Sequence, residues 1–376
     1  MAGLVCVVAW LYLLLAHGRF WVIPPTPASD AGFAGTIAAV IPARNEADMI
    51  GPAVASLLRQ QGIQGVRLFV VDDNSTDGTG EAARRGASSR PDRITVIAGA
   101  PPPPGWSGKL WALQQGVEKA LRSAPDYLLF TDADIEHAPE EIATLAGIAE
   151  GGHYDLASFM VKLHCRSVAE KLLIPAFVFF FFMLYPPDWI RDPRRSTAGA
   201  AGGCILVRAA ALERIGGIAA IRQEVIDDCA LARAVKLSGG NVWLGATADT
   251  HSLRPYRSFA EIGRMIARTA FSQLRHSAWL LLGTVAGMLL LYLLPLALLA
   301  SGSAALAITG AVAYAMMTVA YLPMVRFYCL NPLWGLTLPF SALFYTAATM
   351  HSALRYWSGR GGEWKGRVQD PRRSRR

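Results

Sequence analysis

The chain is predicted to be an α/β protein with a mostly parallel sheet covered by helices, joined to transmembrane helices. Three observations carry this reading. Between about 35 and 275, short apolar runs alternate with stretches of helical periodicity. Polar, acid-rich clusters follow three of those runs directly. Beyond residue 277, uncharged segments reach the length of a bilayer span.

The elements follow in chain order. "TIAAVIP" at 36–42 reads as a buried strand, and "EADMIGPAVASLLRQQG" after it sets Ile50, Val54, Leu57 and Leu58 at helical spacing. "VRLFVVDD" at 66–73 is a second strand, and "STDGTGEAARRGA" opens with a helix-capping Ser or Thr. "RITVIAG" and "YLLFTDAD" complete four strand candidates separated by helices. Such alternation is the signature of a parallel sheet covered on both faces.

Composition adds the membrane. With 53% hydrophobic and 17% charged residues, and a mean hydropathy of +0.31, the chain is too apolar for an ordinary soluble enzyme. Residues 278–300 and 303–325 are uncharged and each is long enough to span. A third candidate runs from Pro332 to Trp357, with Pro339 expected to interrupt it and make it re-entrant or broken. The first sixteen residues are apolar and lack a signal peptide's basic start, so residues 1–23 read as a retained anchor. "LLIPAFVFFFFMLYPP" at 172–187 is short and bounded by prolines, and reads as an interfacial or buried segment. The expected organisation is therefore an anchor at 1–23, an α/β domain at 35–275, a transmembrane region at 278–357 and a basic tail at 358–376.

From Arg355 to Arg376 there are eight Lys or Arg against two acids, which is +6 of the total +8. A basic tail beside a membrane segment marks the cytoplasmic side and contact with anionic lipid. No basic stripe lies elsewhere, which excludes nucleic acid as the expected partner. The five cysteines are scattered without a CxxC pair, which speaks against structural zinc or a disulfide framework.

"LLFTDADIEH" at 128–137 places Asp132, Asp134 and Glu136 at every second position after an apolar run. Taken alone it is either a solvated turn with a helix cap or a divalent-cation site. In parallel sheets ligands bind beyond the carboxyl ends of the strands, and "PARNE", "DDNSTDGT" and "TDAD" all lie there. Three such clusters on one sheet edge favour the cation site. Neither GxGxxG nor GxxxxGKS occurs, so a dinucleotide fold is not expected. "QEVIDDCALARAVKLSGG" reads as a helix start with Asp227 and Asp228 in its first turn, as caps or as chemistry.

"VIPARNEADMI", "VVDDNSTDGT", "TDADI" and "AGGCILVRAAALERIGG", in this order, resemble the family 2 inverting glycosyltransferases of GT-A fold. "GWSGKLWALQQG", "IDDCALARAVKLSGG", "RTAFSQL" and "GEWKGR" resemble the hopene-associated, HpnB-type members more closely. The resemblance implies a cytoplasmic catalytic domain on the inner membrane and transfer from a nucleotide sugar, a UDP-sugar first, to a lipid. It implies that Pro42, Ala43, Arg44, Glu46 and Asp72 line the nucleotide pocket, with Asp73 reading the base edge. Lys109 would sit at the diphosphate, Asp132 and Asp134 would hold Mg²⁺ or Mn²⁺, and Asp228 would be the base with Asp227 orienting. Processive relatives carry QxxRW; here "MIART" keeps Arg268 alone, which favours transfer of one sugar. A polyprenyl-phosphate sugar synthase and a non-catalytic membrane scaffold are the rival expectations.

Overall fold

The computed structural model describes residues 2–23, 33–359, 361, 363–364 and 367–368. They fall into two compact units, the first comprising residues 1–23, 164–189 and 255–362, the second 24–163, 190–254 and 363–376.

The second unit is built on an eight-stranded sheet. Its strands are β1 (Ile37–Ala43), β2 (Val66–Asp72), β3 (Ile94–Ala98), β4 (Tyr127–Phe130), β5 (Ile135–Glu136), β6 (Leu156–Lys162), β7 (Ile205–Arg208) and β8 (Val242–Ser252). Their order is β3-β2-β1-β4-β7-β6-β8-β5. The first four are mutually parallel, as predicted; β7 runs antiparallel to both neighbours, and β5 antiparallel to β8. Every residue of β1 is buried, as a central parallel strand requires. Pro42 is tolerated there because the last β1–β4 pair is Val40–Phe130, so its missing N–H breaks no ladder bond. Helix Ala47–Leu58 presses Ile50, Val54 and Leu57 into the core beneath β1 and β2.

The first unit is helical. Among the described residues three helices are long and apolar enough to cross a membrane: Val168–Arg191, Ala278–Leu299 and Ala304–Phe327. This differs from the sequence expectation in two places. The segment expected at 172–187 starts earlier, at Val168, because Ser167 and Glu170 form a reciprocal capping box. Its Phe179, Phe180 and Phe182 are buried, Phe179 packing edge-on against Phe20 and Tyr321, and Phe180 against Tyr292 and Tyr345. Pro339, in turn, does not interrupt a helix. It sits in the first turn of Leu338–Trp357, where the lost N–H has no intrahelical partner anyway.

The N-terminal helix Ala2–Leu15 has 14 residues. At ~1.5 Å per residue it covers about 21 Å, short of the ~30 Å of a hydrocarbon core. Most of the basic tail, including Lys365 and residues 369–376, lies outside the described residues.

Candidate active site

Because β2, β1 and β4 are adjacent and parallel, their C-terminal ends and loops lie side by side. The loops after β1 and β2 are fastened to one another. Asn45 N donates to Ser75 Oγ (3.0 Å), Thr76 N to Asn45 Oδ1 (3.0 Å) and Ala47 N to Asp77 Oδ2 (3.0 Å). Asn45 and Asn74 adopt φ of +52° and +55°, a region that asparagine tolerates. Asp72 closes its own turn, its Oδ1 accepting from Ser75 N at 2.9 Å. Asp73 is buried; its backbone oxygen accepts from Arg44 Nη1 at 2.6 Å and its carboxylate lies 3.7 Å from the same guanidinium.

Past Phe130 the chain leaves the strand and turns, so the two-residue alternation expected for "TDADIEH" does not hold. The three acids consequently go to different partners. Asp132 faces Lys109, with Oδ1 and Nζ 3.0 Å apart. Asp134 Oδ2 accepts from Ser252 Oγ (3.1 Å) and Arg254 Nε (3.0 Å), while Arg254 Nη2 binds Glu46 at 2.6 Å. Glu136 pairs with His251 (3.4 Å) on β8, outside the cluster.

Lys109 lies in the first turn of helix Gly108–Ala120, where the Ser107 side chain accepts from Leu110 N. Its ammonium also stands 3.0 Å from Asp227 Oδ2. Burial works against the charge, but Asp132, Asp227 and Asp228 outweigh it and hold the amine protonated well above the ordinary lysine range. Asp228 follows Asp227 in the first turn of helix Asp227–Leu237. Its Oδ2 accepts from Gly202 N (3.0 Å) and its Oδ1 from Cys229 N (2.7 Å). Burial, then the neighbouring Asp227, push its carboxyl up to about 6, against the pull of Lys109 and those two N–H groups. Desolvation raises Asp132 as well, with Lys109 opposing and Asp134 and Asp227 adding.

The pocket among these groups has a volume of about 20 Å³, room for a water. Gly202 lines it, and an added Cβ there would stand 3.5 Å from Asp228 and 3.7 Å from Asp132 and Lys109. Gly203 serves packing instead, since a Cβ would come within 2.8 Å of Val161. Arg268 lies on helix Phe259–Gln273 of the other unit.

The donor set suits a divalent cation. Asp132, Asp227 and Asp228 all act on the one ammonium of Lys109 in a desolvated place. Among the described residues no three His, Cys, Asp or Glu converge on one point.

Arg254, Ser252, Thr131 and His137 were not legible as site residues. Thr131 Oγ1 donates to Gly203 O (2.8 Å), so it must accept from His137 Nε2 (2.9 Å), which fixes the tautomer with hydrogen on Nε2. His137 is 3% exposed, and burial pushes its pKa down to about 3, so it stays neutral. This pair ties the residue before Asp132 to the residue after Gly202. Thr131→Val leaves Gly203 O and His137 Nε2–H without that partner and is expected to cost about 1–3 kcal/mol. A thermal melt checks this, with Thr131→Ser expected near wild type.

The profile of Glycosyl transferase family 2 matches residues 38–216. The polyprenol monophosphomannose synthase of Mycolicibacterium smegmatis is 34% identical over 113 residues, 30% of this chain and 40% of that protein. The 4,4'-diaponeurosporenoate glycosyltransferase of Staphylococcus aureus is 35% identical over 96 residues, 26% of this chain and 23% of that protein. The chain thus spans less than half the length of either relative. In fold it is similar to the mannosyltransferase PcManGT from Pyrobaculum calidifontis, solved with GDP-Man and Mn2+, at a TM-score of 0.54 and 19% identity over 95% of this chain and 99% of that one. The structural likeness shows an α/β fold of GT-A type, and the family 2 model matches within it at residues 38–216.

Proposed function

We propose that the protein is a membrane-bound, metal-dependent inverting glycosyltransferase that moves a single sugar from a nucleotide sugar to a lipid. The observation that carries this is the desolvated cluster of Lys109, Asp132, Asp227 and Asp228 at the carboxyl edge of the parallel strands. The catalytic unit is placed on the cytoplasmic side of an inner membrane, where nucleotide sugars are available, with the basic tail on anionic lipid.

Each residue has a task. Arg44, Glu46, Asp72 and Asp73 shape the nucleotide pocket beside Pro42 and Ala43. Asp132 and Asp134 hold Mg²⁺ or Mn²⁺, which when bound neutralises the donor's phosphates and stabilises the leaving group. Lys109, released from Asp132 and Asp227 as phosphate enters, supplies a second positive charge. Asp228 takes the acceptor hydroxyl's proton as its oxygen bonds to the anomeric carbon and the bond to phosphate breaks, inverting that carbon. Asp227 orients Lys109. Arg268 remains a candidate only by resemblance.

The names of both relatives favour lipid acceptors, and a hopanoid-related lipid is the acceptor proposed. The name of the first favours a second reading, a polyprenyl-phosphate acceptor. Mass spectrometry of total lipids with and without the gene tests both. The expected result is loss of a species heavier than its parent by one sugar; an unchanged lipidome, with no nucleotide-sugar hydrolysis by purified protein, would exclude catalysis and leave a scaffold.

A further inference from the structure

Strand β8 changes register shortly before it reaches the site. Met160 of β6 pairs with Ala246 and Lys162 with His251, so the four residues from Thr247 to Thr250 stand against the single Val161. Such a bulge re-aims the strand beyond it. Past the bulge, His251 and Ser252 pair with Glu136 and Ile135 of β5. Ser252 Oγ donates to Asp134 Oδ2 (3.1 Å), and Arg254 Nε reaches the same oxygen at 3.0 Å. Whatever holds the bulge therefore sets where Ser252 and Arg254 arrive.

Glu141, the first residue of helix Glu141–Gly151, is 6% exposed. Thr247 Oγ1 donates to its Oε2 at 3.1 Å. Thr250, whose Oγ1 accepts from Ala138 N at 3.0 Å, faces the same carboxyl. Glu141 Oε1 is buried without a hydrogen-bond partner among the described residues. A charge so placed lacks donors, whereas a neutral acid is tolerated at far lower cost. Burial pushes the carboxyl up to about 7, Asp249 adding to this and the two threonine hydroxyls opposing it. Asp249 lies on the bulge itself, so ionising Glu141 sets two like charges against each other. Among the other strands packed on this helix, Cys204 ahead of β7 senses Glu141, and Arg208 of β7 serves Glu150 at the far end (3.0 Å). Residues 156–161 of β6 carry no titratable side chain.

We propose that Glu141 is a positioning residue whose neutral form pins the β8 bulge and holds Ser252 and Arg254 on Asp134, and whose ionisation loosens both. Water can supply the donors that the charged form lacks only when Thr247 and Thr250 move off it. The link to turnover rests on the proposed transfer reaction; the pinning of the bulge does not. The folded-state value lies above the ordinary glutamate value, so the stabilisation is present at low pH and is lost as pH rises through about 7.

The test uses the full chain in nanodiscs, with hydrogen exchange read by mass spectrometry at pH 6 and pH 8 and corrected for the intrinsic rate. In wild type, peptides covering 247–254 and 132–137 should exchange at least about threefold faster at pH 8. Glu141→Gln, neutral at both pH values, should show no such change, and its melting temperature should gain on wild type from pH 6 to pH 8. Glu141→Leu, which removes the acceptor for Thr247, should loosen the same peptides at both. Wild-type kcat/KM should fall about tenfold between its optimum and pH 8, a limb that Glu141→Gln lacks. Exchange that ignores pH in wild type, or that follows it equally in the Gln variant, overturns the proposal. An alkaline limb that persists in the Gln variant overturns the tie to the site. Absence of transfer at every pH, with exchange as expected, supports the pin and refutes the transfer reading instead.

Discussion

Asp228→Asn is expected to cut turnover by at least about a hundredfold while leaving donor binding near normal. A lipid hydroxyl is a poor nucleophile at neutral pH, and a positioned base contributes roughly a hundred- to ten-thousand-fold. The carboxylate is held by Gly202 N and Cys229 N, and asparagine can keep one such acceptor while losing basicity. The raised pKa of about 6 gives the sign of the pH dependence. The ionised form is the active one, so kcat/KM falls as pH drops through about 6, and the variant loses that acid limb. Steady-state kinetics from pH 5 to 8, with calorimetry of nucleotide binding, measure both. A dead Asp227→Asn beside an active Asp228→Asn would exchange their roles; activity in both would move the acceptor to a phosphate, which needs no base.

Loss of the metal, or of Asp134, is expected to abolish transfer. Asp134→Ala removes a proposed ligand and also leaves Arg254, bound by two carboxylates in this structure, with Glu46 as its carboxylate partner. Chelator should inhibit wild type and Mg²⁺ or Mn²⁺ restore it. Asp134→Asn separates the two effects. It keeps an acceptor for Ser252 and Arg254, so folding by thermal melt should be near normal while activity stays lost. Undiminished turnover in excess EDTA would refute metal dependence.

Much of this was legible in local sequence because local physics decides it. Buried parallel strands must read as continuous apolar runs, so β1, β2, β3 and β4 could be found in "TIAAVIP", "VRLFVVDD", "RITVIAG" and "YLLFTDAD". Ligand-facing residues in such sheets must follow strand ends, which brought Arg44, Asp73 and Asp132 into view. The second half of the sheet was not legible, because the pairing of β7 with β4 and of β8 with β6 is decided by partners far away in the chain.

Periodicity failed where its premise failed. Pro339 reads as a break within an apolar run, yet it opens a helix, since its effect depends on whether it falls in the first turn. Asp132 and Asp134 read as one pair, yet the turn after Phe130 sends them to Lys109 and Arg254 respectively.

The sequence by itself determined the strand-helix alternation, the membrane-length helices and the acid-rich strand ends, because burial and spacing are written locally. Only the tertiary structure decided which charges meet. Arg254 reaches Glu46 across 208 positions, and Lys109 joins Asp132 to Asp227 from three separate elements. Coulomb interaction depends on distance in space, and separation along the chain carries almost no information about it.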